Sequence, residues 1–288
     1  MPDDHGRGRG PAHDTLRRGR APTGRLVTPP AFDLNGRVAL VTGAGSPSGI
    51  GFAAARLLAQ MGASVEVAAT TARSEERAGE LVAEGHHAHG SWADLTDATA
   101  AQDLVDAARE RWGRLDIVVN NAGMTSVASP GSAEAGDAIA LSPESWRASI
   151  ARNLDSAFYV SRAALPLMRD AGWGRIVMVA SVTGPVMAMQ GETGYAAAKA
   201  GMVGLTRSLA VDFAASGVTV NAVAPGWIAT GSQTDHEREQ GLRTPLRRSA
   251  TADEVAAAIA WLCTPGAAYT TGQCIVVDGG NSIAEERT

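Results

Sequence analysis

Tyr195 and Lys199 stand four residues apart, and Lys199 is the only lysine in a chain whose lysines and arginines total 25. Positive charge is otherwise supplied by arginine, so this one position calls for an ammonium in particular. Arginine is a planar fork that keeps its proton, with a pKa above about 12. Lysine is compact, can sit against a buried oxygen and can share a proton. On a helix, residues four apart lie on one face. Tyrosine can donate to an oxygen that gains negative charge, but its unperturbed pKa is about 10. A neighbouring ammonium stabilises the phenolate and lowers that value. The pair therefore points to proton transfer on an oxygen, with Tyr195 as acid and Lys199 lowering its pKa.

Such a pair needs a scaffold and a reacting partner. From Arg37 onward, short Val/Ile/Leu runs alternate with Ala-rich helical stretches. The pattern predicts strands over 38–42, 65–69, 88–92, 117–120, 176–180, 218–223 and 274–277. It predicts helices over 50–61, 75–84, 99–112, 142–169 (broken), 195–214 and 252–264. Near-continuous apolar strands separated by helices imply a parallel sheet covered on both faces. The fold class is α/β, a doubly wound, mostly parallel seven-stranded sheet of the Rossmann type.

The first strand runs into Thr42-Gly43-Ala44-Gly45-Ser46-Pro47-Ser48-Gly49-Ile50-Gly51, and a helix follows. Glycines let the backbone turn tightly and approach a pyrophosphate, which the helix N-terminus attracts. The second strand ends Ala69-Thr70-Thr71-Ala72-Arg73 and carries no acid there to bind a ribose diol. Hydroxyls and an arginine favour a 2′-phosphate instead. NADP(H) is the preferred cofactor, with NAD(H) as the alternative.

These motifs together resemble the short-chain dehydrogenase/reductase family, close to its 3-oxoacyl-acyl-carrier-protein reductases, over residues 32–283. The family turn is Thr-Gly, three residues, then Gly-Ile-Gly; here five residues separate Gly43 from Gly49, and the extra two bulge around Pro47. Tyr195-Ala196-Ala197-Ala198-Lys199 matches the family's Tyr-xxx-Lys, and Ser181, ending the fifth strand, matches its catalytic serine. Asn153 matches the helix asparagine that positions a water relaying protons to Lys199.

The resemblance implies a cofactor site made of Gly43, Ser46, Gly49, Ile50, Gly51, Thr70, Thr71 and Arg73 on one side. Asp94 and Leu95 would contact adenine, and Asn121, Ala122 and Gly123 would lie beside the cofactor. Tyr195 and Lys199 would reach the nicotinamide ribose, and Pro225, Gly226, Ile228 and Thr230 the nicotinamide. It also implies a homotetramer and hydride transfer between C4 of the nicotinamide and a carbonyl carbon, with Ser181 holding the substrate oxygen. The enoyl reductases of the family space Tyr and Lys further apart. Readings left open are an NAD(H)-dependent alcohol dehydrogenase and a catalytically silent NADP(H)-binding sensor.

Residues 1–33, rich in Arg, Gly and Pro, read as a disordered arm, and 34–288 as a single domain with a polar substrate lid at 231–247. Residues 123–141 and the lid would shape the substrate pocket. A net charge of −5 argues against a nucleic-acid binder. No apolar run approaches a membrane span of about 18 residues. Two cysteines suit reduced thiols in a cytoplasmic protein. His86, His87 and His89 have metal-like spacing but no local acidic or thiol partner, and read as a solvated turn.

Overall fold

The computed structural model describes residues 28–123 and 135–285. In chain order these form β1 (Val38–Val41), α1 (Ile50–Gln60), β2 (Ser64–Ala69), α2 (Arg73–Ala83), β3 (Ala88–Trp92), α3 (Ala98–Trp112) and β4 (Ile117–Asn120). Then follow α4 (Pro143–Ile150), a π-helical turn (Ala151–Asp155), α5 (Ser156–Asp170), β5 (Gly174–Val179), α6 (Thr193–Phe213) and β6 (Val218–Pro225). The last part holds β7 (Ile228–Ala229), α7 (Asp235–Leu242), β8 (Ala250–Thr251), α8 (Ala252–Leu262) and β9 (Cys274–Val277).

Seven strands lie in the order β3-β2-β1-β4-β5-β6-β9. Every pairing in this sheet is parallel. The central strands β1, β4, β5 and β6 are buried along their whole length. That follows from their apolar runs, which are covered on both faces. One core joins the sheet to α1 and α8 through Phe52, Leu58, Ile259 and Leu262. The other joins it to α3, α5 and α6 through Leu104, Val160, Met168 and Met202. After β3 the chain crosses back to place β4 against the other side of β1. The crevice at the carboxyl ends of β1 and β4 is therefore the switch point where ligands bind in such sheets.

The predicted break within 142–169 is the π-helical turn, which carries Asn153. Two features were not legible. The lid region folds one helix, α7, closed by a capping box between Thr234 and Glu237. The two-residue strands β7 and β8 pair at the lid's ends. Of the expected arm, residues 1–27 lie outside the described residues, and Pro30–Phe32 form a 3₁₀ turn. Residues 124–134 of the expected pocket loop also lie outside them.

Buried acids tie the sheet together away from the crevice. Asp116, one residue before β4, accepts from the Val38 amide (3.0 Å), Arg37 (2.9 Å) and Arg114 (2.6 Å). Glu66 in β2 is 1% exposed and bonds His89 (2.8 Å), Ser91 (2.5 Å) and the Trp112 indole (2.8 Å). His89 is thus engaged with a carboxylate on the neighbouring strand.

Candidate active site

Ser181 follows β5, Tyr195 and Lys199 lie one turn apart on α6, and Asn153 sits in the π-helical turn. All four line one cleft of about 560 Å³. Ile50, Asn121, Gly123, Pro225, Gly226, Ile228 and Thr230 line the same cleft. The other expected cofactor residues sit outside that lining.

Lys199 is 3% exposed, and its Nζ donates to the Val179 carbonyl at 2.9 Å. Burial alone pulls its pKa from 10.5 down to about 8. Desolvation disfavours the charged form, so the ammonium is poised to give up its proton near neutral pH. The Nζ lies 5.6 Å from the centre of the Tyr195 ring.

Tyr195 differs from the sequence expectation. Its pKa lies above the usual 10, because burial outweighs the hydrogen bond with Ser181 that favours the phenolate. The charges of Glu192 and Glu237 push it further up. The ammonium, which was expected to lower this value, is instead directed at the Val179 carbonyl. At neutral pH Tyr195 is therefore a phenol with its proton in place. The Ser181 hydroxyl is oriented by accepting from the Thr183 amide at 3.1 Å.

Asn153 is held by its Nδ2, which donates to the Ser149 carbonyl four residues back at 3.1 Å. Its Oδ1 is buried without a partner among the described residues. A Cβ on Gly123 would stand 2.8 Å from that Oδ1 and 3.0 Å from Lys199 Nζ. Glycine there keeps Asn153 and Lys199 facing one small polar space.

The glycine-rich turn is locked from β4. Asn121 Nδ2 donates to the carbonyls of Thr42 (3.1 Å) and Gly43 (3.0 Å). Thr42 Oγ1 accepts from the amides of Asn121 and Ala122, both at 3.1 Å. Gly43 has a φ of 64°, and a Cβ there would lie 2.8 Å from the Ala122 backbone. Gly49 caps α1 without a side chain, so the first-turn N–H groups keep no side-chain acceptor. The extra residues fold as a short turn, with the Gly49 amide bonded to the Ser46 carbonyl at 3.2 Å. Ser48 Oγ accepts from the Gly231 amide at the start of the lid, at 2.9 Å.

Arg73 opens α2, and its Nε donates to Thr71 Oγ1 at 3.3 Å. A Cβ on Gly45 would come within 3.5 Å of the Arg73 Cβ, so Arg73, Thr71 and the glycine turn adjoin. Thr70 lies just past β2. Asp94 takes its Oδ1 into a local turn, accepting from the Thr96 amide (3.0 Å) and hydroxyl (2.7 Å). Leu95 beside it is buried.

Sequence reasoning missed Ser149, Glu192 and Glu237 as cleft residues. Ser149 is one helical turn before Asn153, a spacing that signals a shared face. Glu192 precedes Tyr195 by three, the same kind of signal. Glu237 was read only as part of a polar lid, because nothing local shows which way α7 faces.

The family model described as enoyl-(acyl carrier protein) reductase matches residues 43–282. A cis-4-hydroxycyclohexanecarboxylate dehydrogenase from Sinomonas cyclohexanicum is 40% identical, over 85% of this chain and 96% of that protein. A 3-oxoacyl-[acyl-carrier-protein] reductase from Synechocystis sp. is 39% identical, over 86% of this chain and 97% of that protein. A solved short-chain dehydrogenase/reductase from Burkholderia xenovorans superposes with a TM-score of 0.81 at 36% identity, covering 88% of this chain and 99% of that one. The chain belongs to the short-chain dehydrogenase/reductase family of oxidoreductases and is similar to its 3-oxoacyl-[acyl-carrier-protein] reductases.

Proposed function

We propose that the chain reduces a ketone to a secondary alcohol with NADPH, using Tyr195 as the acid. The observation that carries this reading is the convergence of Ser181, Tyr195, Lys199 and Asn153 on one cleft, with Tyr195 protonated. One relative is named as a reductase of a 3-oxo group and another as a dehydrogenase of a ring alcohol, the two directions of one interconversion.

The residues present fit a nicotinamide dinucleotide. The uncapped first turn of α1 and the glycine turn suit a pyrophosphate, and the unpartnered Asn153 Oδ1 beside Lys199 suits a water and ribose hydroxyls. Arg73 and Thr71, with no acid at the end of β2, favour the 2′-phosphate form. Bound there, the cofactor supplies the hydride that reduces the carbonyl carbon.

The chain's own residues handle the oxygen. Ser181 donates a hydrogen bond to it and Tyr195 gives it a proton as negative charge grows. The Lys199 ammonium then steadies the phenolate left behind. Asn153 holds the water through which Lys199 and Tyr195 recover the proton. The high resting pKa of Tyr195 suits an acid that must keep its proton until the carbonyl is attacked.

The remaining assignments follow the same reading. Residues 34–288 act as one domain with residues 231–247 as its lid, residues 1–33 as an appended arm, and the enzyme is a cytoplasmic homotetramer. Phe158 on α5, Val211 on α6 and Val276 on β9 are exposed apolar side chains that subunit contacts would cover. Among the described residues no helix is long and apolar enough to cross a membrane. Cys263 and Cys274 are free thiols, and burial pushes the Cys263 thiol up to about 12.

The test is a panel of ketones and acyl thioesters followed by loss of NADPH absorbance. Tyr195→Phe abolishes turnover and leaves NADPH binding by fluorescence titration nearly intact. Lys199→Arg keeps a charge yet loses most activity. Retained turnover in Tyr195→Phe refutes the assignment.

A further inference from the structure

The cleft contains two carboxylates that the reaction above does not use. Among its described lining residues, Glu192, Glu237 and Lys199 are the only charged side chains. Lys199 is turned to the Val179 carbonyl. Apart from Lys199, the charge among the described lining residues is therefore acidic.

Glu192 is the residue before α6 and precedes Tyr195 by three. Its backbone is pinned, since the Ala196 amide donates to its carbonyl at 2.8 Å and the Gly136 amide to that of Gly191 at 2.6 Å. Its carboxylate neither caps α6 nor takes part in any hydrogen bond or ion pair among the described residues. Glu237 joins the same cleft from lid helix α7. One oxygen, Oε2, is fixed by the Thr234 amide (2.7 Å) and hydroxyl (3.0 Å). The capping box thus aims a charge without neutralising it. Burial first, and then the Glu237 charge, raises the Glu192 pKa, and both acids push up that of the buried Tyr195, so all three groups share one electrostatic environment.

A further feature points to a ligand. Ser149 lines the same cleft, is 1% exposed, and its Oγ has no partner among the described residues. A buried hydroxyl is ordinarily hydrogen-bonded, and a ligand in the cleft can supply that partner. Trp227 and Met189 supply apolar and aromatic wall beside the acids. Two like charges in one cleft are relieved by a cation bound between them, and an aromatic wall suits an ammonium.

We propose that Glu192 and Glu237 form a cation-reading end of the substrate pocket, so that the preferred carbonyl substrate carries a protonated amine on the same molecule. This deepens the ketone-reductase reading and rests on it. The same charges disfavour substrates with a carboxylate in that position.

The test uses full-length enzyme at pH 7 with matched ring ketones: 4-aminocyclohexanone, 4-methylcyclohexanone, 4-hydroxycyclohexanone and 4-oxocyclohexanecarboxylate. The expected order of kcat/KM is amine first and carboxylate last. The amine-to-methyl ratio should be about tenfold or more, as one charge-assisted hydrogen bond gives. That ratio falls toward one in Glu192→Gln and in Glu237→Gln, and it shrinks with added salt. Glutamine keeps the capping box, and should Glu237→Gln still fail to fold, Glu192→Gln carries the test.

A methyl, hydroxy or carboxylate ketone equal to or better than the amine overturns the proposal, as does a ratio retained in both variants. If none of the four ketones and none of the wider panel of ketones and acyl thioesters is reduced with NADPH or NADH, the ketone-reductase reading fails on its own. Binding of cyclohexylamine against cyclohexanol, measured calorimetrically, then decides the cation site. Tighter amine binding that Glu192→Gln removes supports it, and equal binding overturns it.

Discussion

Replacing Lys199 with methionine removes a charge that the folded chain holds at a cost. The side chain is 3% exposed, and burial takes its pKa from 10.5 to about 8. Each pH unit of that fall corresponds to about 1.4 kcal/mol, so the buried ammonium costs on the order of 3 kcal/mol. Below about pH 8 both folded and unfolded chains are protonated, and the full cost is present. Between about 8 and 10.5 the unfolded chain holds a proton that the folded chain has released. Unfolding free energy rises with pH wherever the unfolded state binds more protons, so this contribution makes the native enzyme more stable through that window. Methionine has nothing to titrate there. Relative to Lys199→Met, the native enzyme should therefore gain about 2–3 kcal/mol between pH 7 and pH 10. At pH 7 the variant also loses the hydrogen bond to Val179, worth about 1.5–3 kcal/mol, so the absolute difference there is small. The slope carries the test. Tyr195 works in the opposite sense, because its raised pKa makes the folded state lose stability once the unfolded tyrosine ionises near 10. Both proteins contain it, so it drops out of the difference. The assay is equilibrium urea unfolding of cofactor-free protein at fixed protomer concentration. A difference that stays flat from pH 7 to 10, or falls, refutes the claim that Lys199 is held at a desolvation cost.

Gly51→Ala would place a Cβ 2.5 Å from Asn121 Nδ2 and 2.8 Å from the Gly43 carbonyl. It should cost about 1–3 kcal/mol of stability and weaken NADPH binding, read by thermal unfolding and fluorescence titration. Unchanged affinity would show that the Asn121 clamp does not shape the cofactor turn. Arg73→Ala should raise the KM for NADPH by about tenfold and that for NADH much less; equal changes refute the 2′-phosphate assignment. Asp116→Asn weakens two guanidinium contacts at the amino end of β4. It should lower stability by about 1–3 kcal/mol with kcat/KM unchanged, because Asp116 lies across the sheet from the crevice.

The central sheet was legible because its strands are apolar on both faces and its helices repeat with a different period. Val38 to Val41, Ile117 to Asn120 and Cys274 to Val277 needed no tertiary information. The sequence names the four cleft residues by two routes: Tyr195 and Lys199 by their four-residue spacing on one helix, and Ser181 and Asn153 only through the family pattern, and the fold brings all four to one cleft. What escaped depends on contacts between distant segments. The strand Ile228–Ala229 exists only because Ala250–Thr251 lies beside it. The helix Asp235–Leu242 is polar all round, so no apolar stripe announced it. The contact between Ser48 and Gly231 spans 183 residues and joins the inserted turn to the lid. The Tyr195 pKa failed in direction because the sequence shows a cation four residues away but not the burial of the ring or the two acids facing it.

The same burial gives the physical reason to expect Lys199→Arg to lose activity. The space around Lys199 Nζ is closed by Gly123, where even a methyl group would come within 3.0 Å, and by the Val179 carbonyl at 2.9 Å. A guanidinium has five donors to satisfy, and here one carbonyl and one empty amide oxygen, Asn153 Oδ1, are at hand. Its charge would also be permanent, whereas a group near pH 8 can pass a proton on. Steric closure sets the size of the group and desolvation sets its proton affinity. Both come from packing α6 against β5 and the π-helical turn. On these grounds an arginine at position 199 is expected to be too large, too permanently charged and too poorly bonded for the space.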